Sequence, residues 1–504
     1  MAKMAIGHDD NGPFIKITSD EFDPRTEPDE NYSNFRFNSR YAQVGYFDET
    51  RTALYSSGQN TANYQTISGA SVGVALSSNG IPIGPLGPFV SSGWNTTSLN
   101  STAILYGMSR YRVHVSGYVF DQGVAPNGKA AYDYPTIADY YLQGSGGWNY
   151  PNFWRSVNYT NGGGNEWGSV AYLEMTRRIE NPSGYGGYPT GPSSGWVVRP
   201  SLLAGLNGFN VKFIITPLPA SDSPIQFAEG SPETGQRVIS IDNSSIKVAR
   251  KGFDTRTASD DQLIIGGSTA RMPVYMARRL SLSIGQTVNI PLRSWVPGNS
   301  VVLMQWNIHG QARRLPSIWV GSTASGTQLE IRWRIANGVL TIQNLAPFSY
   351  DVVFLVTSQV QSDPLGGPAI REGIQDGEKY ISIVQGNGLI GADSRSSYLA
   401  IIKQGTLYGS SGTVTFPNQG YIPFVWYSYC FLRNGFDTFL GPRYITNRYN
   451  QVDCISNSAT ITNTTVSFQS FATNPYLIAS PKPYTTVAKY FRYYIFAIPD
   501  VQSS

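Results

Sequence analysis

The chain has 504 residues, beyond the length at which a single hydrophobic core stops growing, so several domains are expected. Only 14% of residues are charged and the net charge is +4, with Lys and Arg scattered singly or in pairs such as Arg278 with Arg279, which argues against nucleic acid as a partner. Polarity comes instead from Ser, Thr, Asn and Gln, and the 52 Gly, 31 Pro and 32 Tyr favour turns and strands, the composition of an all-β protein.

The opening MAKMAIGHDDNGP has no apolar core of a signal peptide, and no stretch reaches the roughly 18 consecutive apolar residues of a membrane span. Two cysteines, Cys430 and Cys454, are too few for a disulfide framework. The expectation is assembly in a reducing cytoplasm, without membrane insertion. The Asn-x-Ser/Thr triplets at Asn95, Asn100 and Asn463 are then chance matches.

The first marked phrase, IKITSDEFDPRTEPD at 15–29, returns as IKVARKGFDTRTASD at 246–260. Seven positions are identical at the constant offset of 231 (246 minus 15), among them Phe22 with Phe253, Asp23 with Asp254, Arg25 with Arg256 and Asp29 with Asp260. In both copies the Asp can accept backbone amides two or three residues on, with Pro24 or Thr255 next in the turn. The reading is a structural turn centred on Asp23, Arg25, Asp254 and Arg256, with Phe22 and Phe253 as plugs beneath it.

Further along, SVGVALSSNG from Ser71 and RYRVHVSGYVF from Arg110 alternate like strands. Gly69-Ala70-Ser71-Val72-Gly73 imitates a nucleophile elbow, but the helix that would hold the Ser on its strained turn is missing. The three histidines, His8, His114 and His309, form no pattern, and no His or Cys pair has metal-ligand spacing.

The next stretch is aromatic and Gly/Asn-rich. Residues 139–167 carry Trp148, Tyr150, Trp154 and Trp167, and residues 181–196 add Tyr185, Tyr188 and Trp196. Rings amid glycines and asparagines give large contact area at low entropy cost, suited to a protein interface or a glycan platform. A mini-core beneath long loops is the plainer alternative.

Two further blocks recur in the same order. SVAYLEMTRRI, ending at Ile179, matches GTQLEIRWRI, ending at Ile335; GFNVKFIITPLPASD, ending at Asp222, matches SYDVVFLVTSQVQSD, ending at Asp363. The chain therefore contains a duplicated domain. Strict alternation in 329–335 requires an extended strand with one buried face.

A weaker third copy closes the sequence. GEKYISIVQGNG from Gly377 resembles GQRVISIDNSS from Gly235, and YFRYYIFAIPDVQ from Tyr490 resembles GFNVKFIITPLPA from Gly208. The glycines at 386–391 imitate a dinucleotide fingerprint, but no Asp or Glu follows at the needed distance, so a turn is expected. The carboxylate cluster of the earlier phrases is not found in this copy, which leaves a glycosidase pair unsupported. The expected architecture is three related all-β domains at 1–230, 231–368 and 369–504. Each is a jelly-roll-like β-sandwich, and the first carries insertions at about 60–168 and 181–196.

SSIKVARKGFDTRTASDDQLIIGGSTARMPVY resembles a small β module of tail and virion proteins in tailed bacteriophages, with Lys247, Gly252, Phe253, Asp254, Asp260 and Leu263–Ile265 as the matching residues. The first copy departs from that pattern, with Glu21 where Gly252 stands. The resemblance implies a structural virion protein, not an enzyme, with no catalytic, cofactor-binding or metal residues and no cofactor. Expected partners are other tail, baseplate or tail-tip proteins and copies of the chain itself in a ring or trimer. The alternative is a receptor-binding protein that reads host-surface glycans through the aromatic insertion.

Overall fold

In the computed structural model the chain is all-β, built mainly from antiparallel sheets, with two short 3-10 turns among the described residues. It describes residues 3–41, 229–309, 331–358, 368–433, 456–471 and 490–498, each with breaks of a few residues, and the backbone of the further strands named below. Between residues 42 and 228 the described side chains are those of 146–149.

A three-stranded meander occurs three times. The first comprises Lys3–Asp9, Gly12–Thr18 and Phe35–Asn38; the second Ile239–Ile241, Ile246–Ala249 and Leu263–Ile265; the third Ile370–Gln375, Glu378–Val384 and Ile390–Asp393. In each, the middle strand carries a register shift at the same place, between Ile17 and Thr18, Val248 and Ala249, and Ile383 and Val384. A bulge sharpens the local twist and re-aims the chain, so its recurrence marks the three units as one design. The registers place Ile17, Val248 and Ile383 in equivalent positions, which agrees with the offset of 231 between the first two phrases (248 minus 17).

The same registers correct the alignment of the third copy. Ile381–Ile383 lies on the middle strand of its meander, whereas Ile239–Ile241, with the same Ile-Ser-Ile sequence, forms the first strand of its own.

After each meander comes a body of seven strands with a shared order. In the second repeat these are Pro273–Leu282, Thr287–Pro291, Val301–Ile308, Arg313–Leu315, Ile331–Ala336, Val339–Asn344 and Tyr350–Thr357. In the third they are Ala400–Tyr408, Ser411–Thr415, Phe424–Arg433, Phe436–Leu440, Ser456–Ile461, Thr465–Phe471 and Tyr490–Ala497. The last strand lies between the first and third, and the fifth and sixth form a hairpin beside the second, in both repeats.

The first repeat repeats this pattern with additions. Thr50–Leu54, Thr136–Gln143 and Asn210–Pro217 make the equivalent trio, and Ala103–Gly107, Leu173–Arg177 and Ser194–Val198 the equivalent hairpin and neighbour. Thr136–Gln143, which the sequence places inside the insertion, is thus a strand of this frame. Among the described residues the hairpin Ser156–Asn161 with Gly164–Ser169 has no counterpart in the other bodies.

The repeats also exchange strands. Asn149, on the short fourth strand Asn149–Pro151 of the first repeat, pairs with Trp333 of the second. Arg313–Leu315 of the second pairs with Ala459–Ile461 of the third, in register Arg313 with Ile461 and Leu315 with Ala459. Asp437–Leu440 of the third returns to Glu174–Arg177 of the first. In every case the fourth strand of one repeat pairs with the fifth strand of the next, and the third transfer closes the cycle.

Apolar side chains divide accordingly. One core joins Ile15, Ile17 and Phe37 to Ile246, Val248 and Ile265 and to Ile383, Ala392 and Tyr398, so all three meanders share it. In the third body Val425, Tyr427, Phe491, Tyr493 and Ile495 face Val466 and Phe468 of the neighbouring sheet, while the alternate residues Phe424, Trp426, Tyr494 and Phe496 join the core of the second body. Burial on both faces is why 490–497 reads as a continuous apolar run and not as an alternation.

Candidate functional site

The recurrent Asp turn has one geometry in both copies. Asp23 Oδ1 accepts the Arg25 amide at 3.0 Å and the Arg25 Nε at 3.1 Å, and Asp23 Oδ2 accepts Nη2 at 2.7 Å. Asp254 takes the amide and Nε of Arg256 at 2.8 Å each. The Asp carbonyls accept the amides three and four residues on: Thr26 and Glu27 in the first copy, Thr257 and Ala258 in the second. The Arg25 side-chain hydrogen bond holds the Asp23 carboxyl down to about 2; the Arg256 side-chain hydrogen bond likewise holds Asp254 well below the ordinary carboxylate range. Both carboxylates are spent on a neighbouring guanidinium, as a structural turn requires.

Phe22 and Phe253 are only half-buried. The buried residues beneath the turns are Pro24 and Thr255, the latter donating its hydroxyl to the Arg237 carbonyl at 2.9 Å. The plug is therefore the residue after the Asp, because the carboxylate and arginine form the outer wall and leave the aromatic ring beside them.

The third repeat has an Asp-x-Arg pair that sequence comparison missed. Asp393 Oδ1 accepts the Arg395 amide at 2.7 Å, and both carboxylate oxygens bind its guanidinium, Oδ2 to Nη2 at 2.6 Å. It follows the third meander strand, where the first repeat has Asn38-Ser39-Arg40 with the Asn38 side chain accepting the Arg40 amide at 3.0 Å.

Arg395 belongs to the junction of the repeats. Its Nη1 donates to Gln375 at 2.7 Å, its guanidinium lies 3.9 Å from the Tyr380 ring centroid, and its carbonyl accepts the Trp295 indole N–H at 3.1 Å. The Ser294 amide donates to Asp376 at 2.6 Å, and Arg293 pairs with Glu378. Second body and third meander are thereby joined by charged and polar contacts.

At the centre stand Arg271 and Tyr398, each three residues before an equivalent bulged position, Val274 and Ile401. Both rest on Phe37 of the first repeat: the Arg271 guanidinium is 5.2 Å from its ring centroid, and the Tyr398 ring meets it edge-on at 5.5 Å and 80°. A cleft of about 20 Å³ opens beside them, lined also by Tyr275, Trp295, Asp393 and Arg395. Substrate pockets are more than about ten times larger. Burial lowers Arg271 to about 10 and raises Tyr275 to about 12.

Little here resembles a catalytic set. Tyr275 shares its hydroxyl with Ser358 at 3.1 Å, and Asp393 is committed to Arg395. A Ser, an Asp and a His do meet elsewhere, yet Ser281 Oγ and His309 Nδ1 both approach Asp351 Oδ1, each at 2.8 Å. An activated serine needs its hydroxyl on the histidine. Ser71 lies on the strand Ala70–Ser77 opposite Thr66. Of the glycines at 386–391, Gly388 lies between two strands and donates its amide to the Gln385 carbonyl at 2.8 Å. Among the described residues no cluster of three or more His, Cys, Asp or Glu is placed to hold a metal ion.

Of the aromatic candidates, Trp148 is half-buried between repeats. The guanidiniums of Arg332 and Arg334 lie 4.0 and 4.6 Å from its ring, beside the Asn149 to Trp333 pairing. Tyr150, Trp167 and Trp196 are on strands, opposite Leu142, Asn158 and Met175 respectively, with side chains outside the described residues. Trp154, Tyr185 and Tyr188 lie outside the described residues altogether, as does Cys454.

No family model, curated protein or solved structure matches the chain.

Proposed function

We propose that the chain is a structural assembly protein that acts through its surfaces, as a tail, baseplate or tail-tip component of a bacteriophage virion. The observation that carries the reading is the cycle of strand transfers among the three repeats, which spends backbone hydrogen bonds and apolar surface on building a rigid frame. Each repeat is read in finer detail as a jelly-roll-like sandwich behind a meander. What supports this is the third repeat, where the trio and the hairpin sheet share the core around Tyr427 and Phe468.

In this reading the cycle places within one chain the threefold arrangement that identical subunits otherwise make, and other virion proteins are the partners. Glycan recognition through the aromatic insertion is the weaker reading, since the Trp148 ring is engaged by Arg332 and Arg334. Mass spectrometry of purified particles tests the assignment. Stoichiometric presence of the chain upholds it, and absence from the particle, or hydrolytic activity of the purified protein, overturns it.

A further inference from the structure

Among the described residues Arg271 has no carboxylate partner. Its Nη2 donates to the Ile264 carbonyl at 2.9 Å and its Nη1 to the Gly391 carbonyl at 3.4 Å, and it faces the Phe37 ring. A guanidinium has five N–H donors, so these two bonds leave donors for the adjacent cleft.

The lining makes the imbalance specific. Its charged residues are Arg271, Arg395 and Asp393, and Asp393 is neutralised by the bidentate grip of Arg395. One positive charge is left in a partly enclosed site where three repeats converge. The Arg271 guanidinium is only partly exposed, so solvent screens its charge incompletely, and an anion beside it offsets that charge. About 20 Å³ admits an occupant the size of one water molecule or one halide ion.

We infer that the cleft beside Arg271 binds a single small monovalent anion, of the halide class, as a structural ion between the second and third repeats. The ion neutralises Arg271 and secures the contact on which Phe37, Arg271 and Tyr398 meet. The inference does not depend on the virion assignment.

Thermal unfolding of the full chain at constant ionic strength, with potassium chloride replacing potassium gluconate, tests it. A saturating rise in melting temperature of about 2 °C or more is expected, reproduced by bromide and absent in Arg271→Gln. An unchanged melting temperature, a rise that does not saturate, or an equal rise in the variant overturns the inference. Should Arg271→Gln fail to fold, bromide-soaked crystals of the unaltered chain decide. An anomalous peak within hydrogen-bond distance of the Arg271 guanidinium upholds the site, and peaks elsewhere alone refute it.

Discussion

Ser39 and Ser394 perform one task in two repeats: the Ser39 hydroxyl accepts the Ile15 amide at 3.0 Å, and the Ser394 hydroxyl accepts the Ile381 amide at 2.9 Å. Each serine amide returns the bond to the same isoleucine carbonyl, at 3.0 and 2.9 Å. The pair extends each meander by one rung beyond its third strand. Replacing either serine by Ala leaves a backbone N–H without its acceptor, at a cost of about 1–3 kcal/mol. Denaturant unfolding of Ser39→Ala and Ser394→Ala is expected to show similar losses, and a neutral result for both would remove this rung from the account.

Asp29 fastens the loop between the second and third strands of the first meander. Its carboxylate receives Lys16 and Asn38 at 2.7 Å and Arg40 at 3.2 Å, while its carbonyl accepts the Tyr41 hydroxyl at 2.7 Å. Burial pushes this carboxyl up, but the Lys16 and Asn38 hydrogen bonds and the charges of Lys16 and Arg40 outweigh it, leaving it below the ordinary value. Asp29→Asn strands the buried Lys16 ammonium and is expected to cost about 2 kcal/mol near neutral pH, after discounting for the partial exposure of Asp29. A depressed carboxylate gives stability that is fully present above its unfolded value, about 4, and is lost as pH falls through the folded one. The gap between wild type and variant should therefore close on acidification below about pH 4. A gap constant down to pH 2 would count against the linkage.

Gly252 has φ +78°, and a Cβ there would lie 2.0 Å from the Gly230 carbonyl carbon. Gly285 has φ +70° with open space around it. Gly285→Ala is expected to cost roughly 1 kcal/mol from the left-handed conformation alone, and Gly252→Ala clearly more because backbone must move. Melting temperatures of the two variants, compared side by side, check the order. Glu21 stands at the matching place in the first repeat.

Trp148→Ala removes the ring on which Arg332 and Arg334 rest. A loss of about 1–2 kcal/mol is expected from two partly desolvated cation–π contacts, read as a lower unfolding midpoint. If particles carrying the variant remain intact and melt normally but fail to adsorb to host cells, the residue serves recognition and not the seam.

Much of this was legible before any coordinates. Alternation identified strands because a half-buried extended chain repeats every two residues, and the phrase at 15–29 and 246–260 returned because its Asp and Arg close a local turn. Long-range relations left weaker traces. The Ile-Ser-Ile at 239–241 and at 381–383 reads alike, since any strand with one polar residue between two apolar ones does, yet the two occupy different strands. Asp393 and Arg395 escaped notice because their turn follows a third strand and not a second. Arg271 gave no signal at all: what distinguishes it is the Phe37 ring and two carbonyls brought from other parts of the fold.

The return of Asp437–Leu440 to Glu174–Arg177 has a consequence for synthesis on the ribosome. The partner of 174–177 is translated more than 250 residues after it (437 minus 177 is 260), so during that interval the nascent first repeat exposes an open strand edge. Vectorial, one-repeat-at-a-time maturation cannot finish the molecule. The last stretch to emerge decides when the first becomes safe from illegitimate pairing, and premature termination near residue 430 would release a chain prone to aggregate.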